Sequence, residues 1–493
     1  MERRAFLQSL AVLALASGCP LALAAESATA AFARRLRQAP WLLGFMGLAE
    51  DQQPLAMKVQ GRFPAELRGT LYRNGPALMA RGNERNEHWF DGDGMVQAFR
   101  LDGAKASHQG RFVRTPKFLK EQKAGRFLLP ATGTYRQAEV PMGTNDDINT
   151  ANINVIPFAG KLLALWEGGS ATELDPDSLA TLGQRTWAPG LEHMPFSAHP
   201  IRDKDGSLFN FGAAPFAGEP AVMLYHLAPD GRLRNSKLLA LPFGGYMHDF
   251  AASDRYLVLL NSSCVYQGGR TYVEGFAWQG QRPSQLLLVD KHSLELVRTL
   301  EVPASFAFHF AGAEERGGEL WVTLCRYRDA SMMLSGMKEL LATGQSQASQ
   351  ATLAQFRVNL ASGKVDLWDS GLDMEFPGRD WRQAQHQGWV FGAGSSGQAQ
   401  SLLSDALVAY DPLRQQVHRH VYGPGIVVEE PRFIAKAGAK AGQGYLLHSF
   451  LDYRRRQSGL AVLDLANLAG GPIAMAHMDR VLPLGFHGSF VAA

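Results

Sequence analysis

The chain has 493 residues, 46% of them hydrophobic, and a formal charge of +3. That length allows a large core, either as several domains or as one repeat architecture. The near-neutral charge balance gives no basis for a nucleic-acid surface, and 51 Gly and 25 Pro spread along the chain fit many turns between short strands rather than disorder.

Residues 1–25 read as a targeting segment. Arg3-Arg4-Ala5-Phe6-Leu7 has the form of a twin-arginine motif, an apolar stretch from Leu10 to Ala16 follows, and Ala22-Leu23-Ala24 offers a cleavage site. A Tat signal is favoured over a generic Sec signal, which places the mature protein in the periplasm. A lipoprotein reading at Cys19 is weaker, because Pro20 follows the cysteine. Residues 26–59 form an N-terminal extension. Phe32-Ala33-Arg34-Arg35-Leu36-Arg37 is basic, and Trp41-Leu42-Leu43-Gly44-Phe45-Met46 is apolar. Such a segment suits peripheral membrane contact or a strap docked on the main domain. No later run approaches the roughly 18 apolar residues that a membrane span needs.

From residue 60 to 493 the chain reads as one all-β domain. Lys161 to Trp166, Tyr256 to Leu260, Leu286 to Val289 and Leu320 to Leu324 are strand-like runs bounded by Gly, Asp or Pro. Met332 to Leu341 is the best helical candidate. A strand, an Asp- or Gly-containing turn and a second strand recur at Leu101-Asp102-Gly103, Leu174-Asp175-Pro176, Pro229-Asp230-Gly231, Val289-Asp290-Lys291, Ala361-Ser362-Gly363, Tyr410-Asp411-Pro412 and Leu463-Asp464-Leu465. Intervals of roughly 50 to 75 residues between such hairpins predict radially arranged four-stranded blades, a β-propeller, over a pair of sandwiches. A closed ring also protects strand edges. Beyond the targeting segment only Cys264 and Cys325 remain, which read as buried thiols, with one disulfide as the alternative.

Of the 14 histidines, four sit beside aromatic or small residues next to predicted strands: His199, His248, His309 and His487. Singly, each reads as a core histidine. Their spacing puts each in a different blade, and the inner strands of a propeller converge on its axis. Four imidazoles meeting there suit Fe, Zn, Cu or Ni. Metal-bound histidine needs its second ring nitrogen held, usually by a carboxylate. Glu167, Glu375 and Glu430 stand in apolar or turn contexts where an unpaired carboxylate is costly.

These contexts, together with Leu71-Tyr72-Arg73-Asn74-Gly75-Pro76, Trp89-Phe90-Asp91-Gly92-Asp93-Gly94-Met95, Glu375-Phe376-Pro377, Glu430-Pro431 and Phe486-His487-Gly488, resemble the carotenoid cleavage oxygenase family from about Gln60 to the C-terminus. The resemblance implies a seven-bladed β-propeller with a dome of loops and helices over its top face. It implies Fe(II) held by the four histidines, with Glu167 behind His248, Glu375 behind His309, Glu430 behind His487, and no carboxylate behind His199. It implies oxidative scission of a carbon–carbon double bond by O2 into two carbonyl products.

Two departures bear on the substrate. Ile153 stands in Ala151-Asn152-Ile153-Asn154 where many relatives carry Thr, so a methyl-rich group replaces a hydroxyl near the iron. Trp166 precedes the first glutamate where stilbene-cleaving members carry a Lys, although Tyr135 matches their Tyr. The pattern favours a lipophilic carotenoid or apocarotenoid over a phenolic stilbene. Phe308, beside His309, joins Tyr135, Ile153 and Trp166 as a candidate wall of the substrate pocket. A stilbene-cleaving enzyme, a non-cleaving lipid-binding propeller and an isomerising propeller are the alternatives.

Overall fold

A computed structural model describes residues 26–493, apart from 217, 381, 385–386 and 398–402. The targeting segment expected at 1–25 lies outside the described residues. The chain folds into a seven-bladed β-propeller. Blade one is built on Gly69–Leu78, Asp93–Asp102 and Lys105–Phe112. Blade two spans Asn154–Phe158 to Thr181–Gln184, blade three Ile201–Arg202 to Leu233–Ala240, and blade four Phe250–Ala252 to Leu296–Val302. Blade five runs from Phe306–Arg316 to Val365–Asp373, blade six from Glu375–Arg379 to Gln416–Val421, and blade seven from Ile426–Val428 and Arg432–Ala435 to Ala474–Met478.

The seven turns singled out in the sequence are one structural feature repeated. Each joins the third strand from the axis to the fourth, as between Asp102 and Lys105 or between Asp411 and Gln416. Strand composition follows depth in the blade. Tyr256–Asn261 is buried at every residue, because blades stack on both of its faces. Gln416–Val421, on an outer edge, is largely exposed. The core is therefore divided into wedges between neighbouring blades. Phe209, Phe211 and Leu224 of blade three meet Leu257, Leu259 and Leu287 of blade four in one such wedge.

Both chain ends close the ring. Gly488–Ala492 pairs with Gly69–Leu78 as the innermost strand of blade one, while Gln52–Ala56 and Lys58–Gly61 add outer strands to blades one and seven. Gly488 is required at this seam. A Cβ there would lie 2.0 Å from the Tyr72 carbonyl oxygen, so the closing strand could not approach.

The N-terminal extension continues into these strands. Its helix Ala28–Gln38 is capped by the Ser27 side chain. The apolar run that follows is a short 3-10 helix, Pro40–Phe45, with Trp41, Leu42, Leu43 and Phe45 buried against Leu340, Leu341, Val427 and Leu484. These side chains act as a strap on the dome. Met332–Gly336 forms a π-helical turn continued by the α-helix Met337–Thr343. No helix among the described residues is long and apolar enough to cross a membrane. Cys264 and Cys325 are free and buried.

Candidate metal centre and its cavity

All seven innermost strands bring their starts toward the axis, and each contributes one residue to the same place. Blades one, three, four and five supply His487, His199, His248 and His309. Blades six and seven supply Glu375 and Glu430, and blade two supplies Ile153 just before Asn154–Phe158. One potential ligand atom from each of the four histidines lies within 4.8 Å of the others. His309 Nε2 and His487 Nε2 are 3.0 Å apart, and the His199 ring centroid is 4.6 Å from that of His248 and 4.5 Å from that of His487.

Three carboxylates take the outward-facing Nδ1 atoms. His248 Nδ1 donates to Glu167 Oε2 at 2.6 Å, His309 Nδ1 to Glu375 Oε2 at 2.5 Å, and His487 Nδ1 to Glu430 Oε1 at 2.9 Å. With the proton on Nδ1, the Nε2 lone pair faces the centre. The pairing is the one the resemblance implies. His199 differs: its nearest carboxylate is Asp249, 3.9 Å from Nδ1, beyond hydrogen-bonding range.

Each carboxylate is itself fixed. Glu430 accepts from Arg73 Nη1 at 2.7 Å and from the Gly488 N–H at 3.0 Å, and Arg432 lies 3.3 Å away. Burial opposes its ionisation, but Arg432, His487 and Arg73 outweigh this and hold it down to about 2. Glu375 is likewise penalised by burial, yet His309 and the Phe376 N–H keep its carboxyl below the usual range. Glu167 accepts from the Tyr246 hydroxyl at 3.0 Å. Phe376 has φ +53°, a left-handed conformation uncommon for an aromatic residue. That backbone aims its N–H at Glu375 Oε2, 2.8 Å away, and lays its ring 5.2 Å from His309 and 5.3 Å from His487.

The donor set fits a divalent ion. Burial first, then the other imidazoles, push His199 well below its ordinary value, and burial lowers His487 to about 4, so these rings stay neutral donors. His199 Nε2 is buried without a hydrogen-bond partner, a costly arrangement for a protein contact alone and the expected one for a ligand atom.

Above the histidines lies a cavity lined by Trp89, Phe90, Phe308, Phe376, Phe486 and the dome residues Met332, Met337 and Leu340. Ile153, Trp166 and Phe308 are part of this wall, and the Ile153 carbonyl accepts the His487 N–H at 3.2 Å. Tyr135 is a correction. It is 47% exposed, with Arg270 over its ring at 4.7 Å, and does not border the cavity. Tyr246 and Tyr327, which brace Glu167 and face Glu375, were not singled out in the sequence. They sit in strand-like aromatic surroundings like many core tyrosines.

A family model described as "Retinal pigment epithelial membrane protein" (RPE65) matches residues 45–492. The chain belongs to the carotenoid cleavage oxygenase family. Among relatives in this family, the apocarotenoid-15,15'-oxygenase of Synechocystis is 30% identical over 480 residues, spanning 91% of this chain and 96% of the relative. Resveratrol cleavage oxygenase 1 of Aspergillus fumigatus is 29% identical over 491 residues, spanning 92% and 95%. A cobalt-substituted crystal structure of the Synechocystis enzyme superposes with a TM-score of 0.82 at 27% identity, covering 92% of this chain and 98% of that one.

Proposed function

We propose that this carotenoid cleavage oxygenase uses Fe(II), held by His199, His248, His309 and His487, to split a carbon–carbon double bond of an apolar carotenoid or apocarotenoid. Both atoms of O2 end in products: the alkene carbons each become a carbonyl carbon, and dioxygen is fully reduced. The observation that carries the reading is the juxtaposition of four converging imidazoles, three of them buried and His199 half-buried, with an aromatic cavity. When bound, Fe(II) supplies activation of dioxygen, which no side chain here can perform.

The protein's own residues do the rest. Glu167, Glu375 and Glu430 hold three imidazoles in one tautomer and orientation. Trp89, Phe90, Phe308 and Phe486 can hold a flat conjugated chain beside the histidines and exclude water from it. Ile153, in contact with the His487 backbone, narrows the approach with methyl groups.

Trp166 and the exposed Tyr135 leave the cavity without the phenol-recognising pair of stilbene-cleaving members, which supports a polyene. The similarity to a resveratrol-cleaving relative keeps a stilbene as the second reading. Product analysis by mass spectrometry under 18O2 separates them. Labelled aldehydes or ketones from an apocarotenoid, with little turnover of resveratrol, are expected. Preferential resveratrol scission would reverse the assignment, and an intact or isomerised polyene without label would refute cleavage. We further propose Tat export to the periplasm on the strength of Arg3 and Arg4. Retention of the precursor in the cytoplasm after replacing both with Lys is expected, and unchanged export refutes it.

A further inference from the structure

The four histidines form a partition between two unlike spaces. The aromatic cavity lies on one side. On the other, a wide channel runs along the propeller axis between the innermost strands and opens at the opposite face. Its outer part carries paired charges, among them Lys291 with Asp203 at 3.0 Å and Lys204 with Asp254 at 2.7 Å. Toward its inner end stands the Asp249 carboxylate, fixed by the Phe250 and Phe310 N–H groups at 2.7 and 2.8 Å. The histidines divide unequally between the spaces. His199 borders the channel alone, His248 the cavity alone, and His309 and His487 border both.

From this geometry we infer that the divalent ion is loaded through the axial channel, and that His199 is the ligand it meets first. This rests on the metal reading of the four histidines proposed above. A hydrated cation crossing the aromatic cavity would exchange its water for carbon surfaces, at a large desolvation cost. The channel offers carboxylates and backbone polar groups along its walls and leaves the cavity free for an apolar substrate. His199 suits the receiving role because no carboxylate lies within hydrogen-bond range of its Nδ1 and its Nε2 is unpartnered. Its ring can adjust as the ion arrives, while the other three are held.

The test is the rate at which the metal-free full chain takes up Co(II), followed by the visible absorbance of the bound ion. Ile156→Trp narrows the channel from blade two, which supplies no histidine, and Ala252→Leu narrows it from blade four. Both variants should load roughly tenfold more slowly than wild type, as pore narrowing does for hydrated ions, and reach the same final stoichiometry and spectrum. Filling the aromatic cavity with octyl tetraethylene glycol ether should leave the wild-type rate unchanged. Wild-type loading rates in both narrowed variants, or slow loading caused by the detergent, would overturn the channel assignment while leaving the metal site standing. A wild-type chain that takes up no Co(II) would remove the metal reading and the route with it.

Discussion

Glu375→Gln separates a ligand-orienting carboxylate from a merely structural one. Glu375 Oε2 accepts from His309 Nδ1 at 2.5 Å and from the Phe376 N–H at 2.8 Å. An amide oxygen can keep both contacts, but the charge assistance is lost, which lowers their worth by about 1–2 kcal/mol. That loss predicts a metal affinity roughly 5- to 30-fold weaker, about 1–2 kcal/mol. The assay is Fe(II) or Co(II) affinity by competition with a chelator, run beside thermal unfolding of the metal-free protein. Wild-type affinity in the variant would refute the role. So would a loss of metal-free stability large enough to account for the weaker binding.

Glu430→Gln should differ from Glu375→Gln by also destabilising the fold, because Arg73 is only 3% exposed. The loss should be about 3 kcal/mol, the low end for a broken buried pair, since Glu429 stays 3.6 Å from Arg73; equal unfolding midpoints for Glu430→Gln and wild type would contradict this. Burial pushes His108 down to about 3 and His448 to about 4. Both folded values lie below that of the unfolded chain, so the unfolded state binds more protons as pH falls. Stability present above pH 6.5 should therefore be lost between about 6.5 and 4, by at most about 1.4 kcal/mol per pH unit for each ring. A His448→Gln variant that loses as much stability as wild type between pH 7 and 4.5 would refute the assignment to that ring. Phe308→Ala removes a ring packed against Phe90, Tyr246, Phe306 and Tyr327 and should cost roughly 3–5 kcal/mol. It should also raise the KM for a polyene, and an unchanged KM would show that Phe308 is no part of the binding wall.

The sequence made the centre legible because its parts are local. Each histidine and glutamate lies at the start of, or just before, an innermost strand, except Glu167, which follows one of blade two's inner strands, and each carries a short aromatic or Pro-containing context. The seven hairpin turns were legible for the same reason, since Asp, Gly and Pro serve turn geometry wherever the strands lead. The ring closure was not. Pairing of Gly488–Ala492 with Gly69–Leu78 joins opposite ends of the chain, and nothing near either strand announces its partner. Tyr246 and Tyr327 escaped because a buried phenol on a carboxylate has the same local sequence as any core tyrosine. Tyr135 misled in the opposite sense: its place in the chain matched a pattern, but the loop carrying it turns its ring to Arg270 and solvent.

The most direct test of the account is the metal content of the purified full chain, before and after anaerobic reconstitution with Fe(II), measured beside His309→Ala. The account predicts close to one tightly held iron per wild-type chain after reconstitution and almost none in the variant. Equal iron in both proteins, or a wild-type chain that holds none, would contradict it.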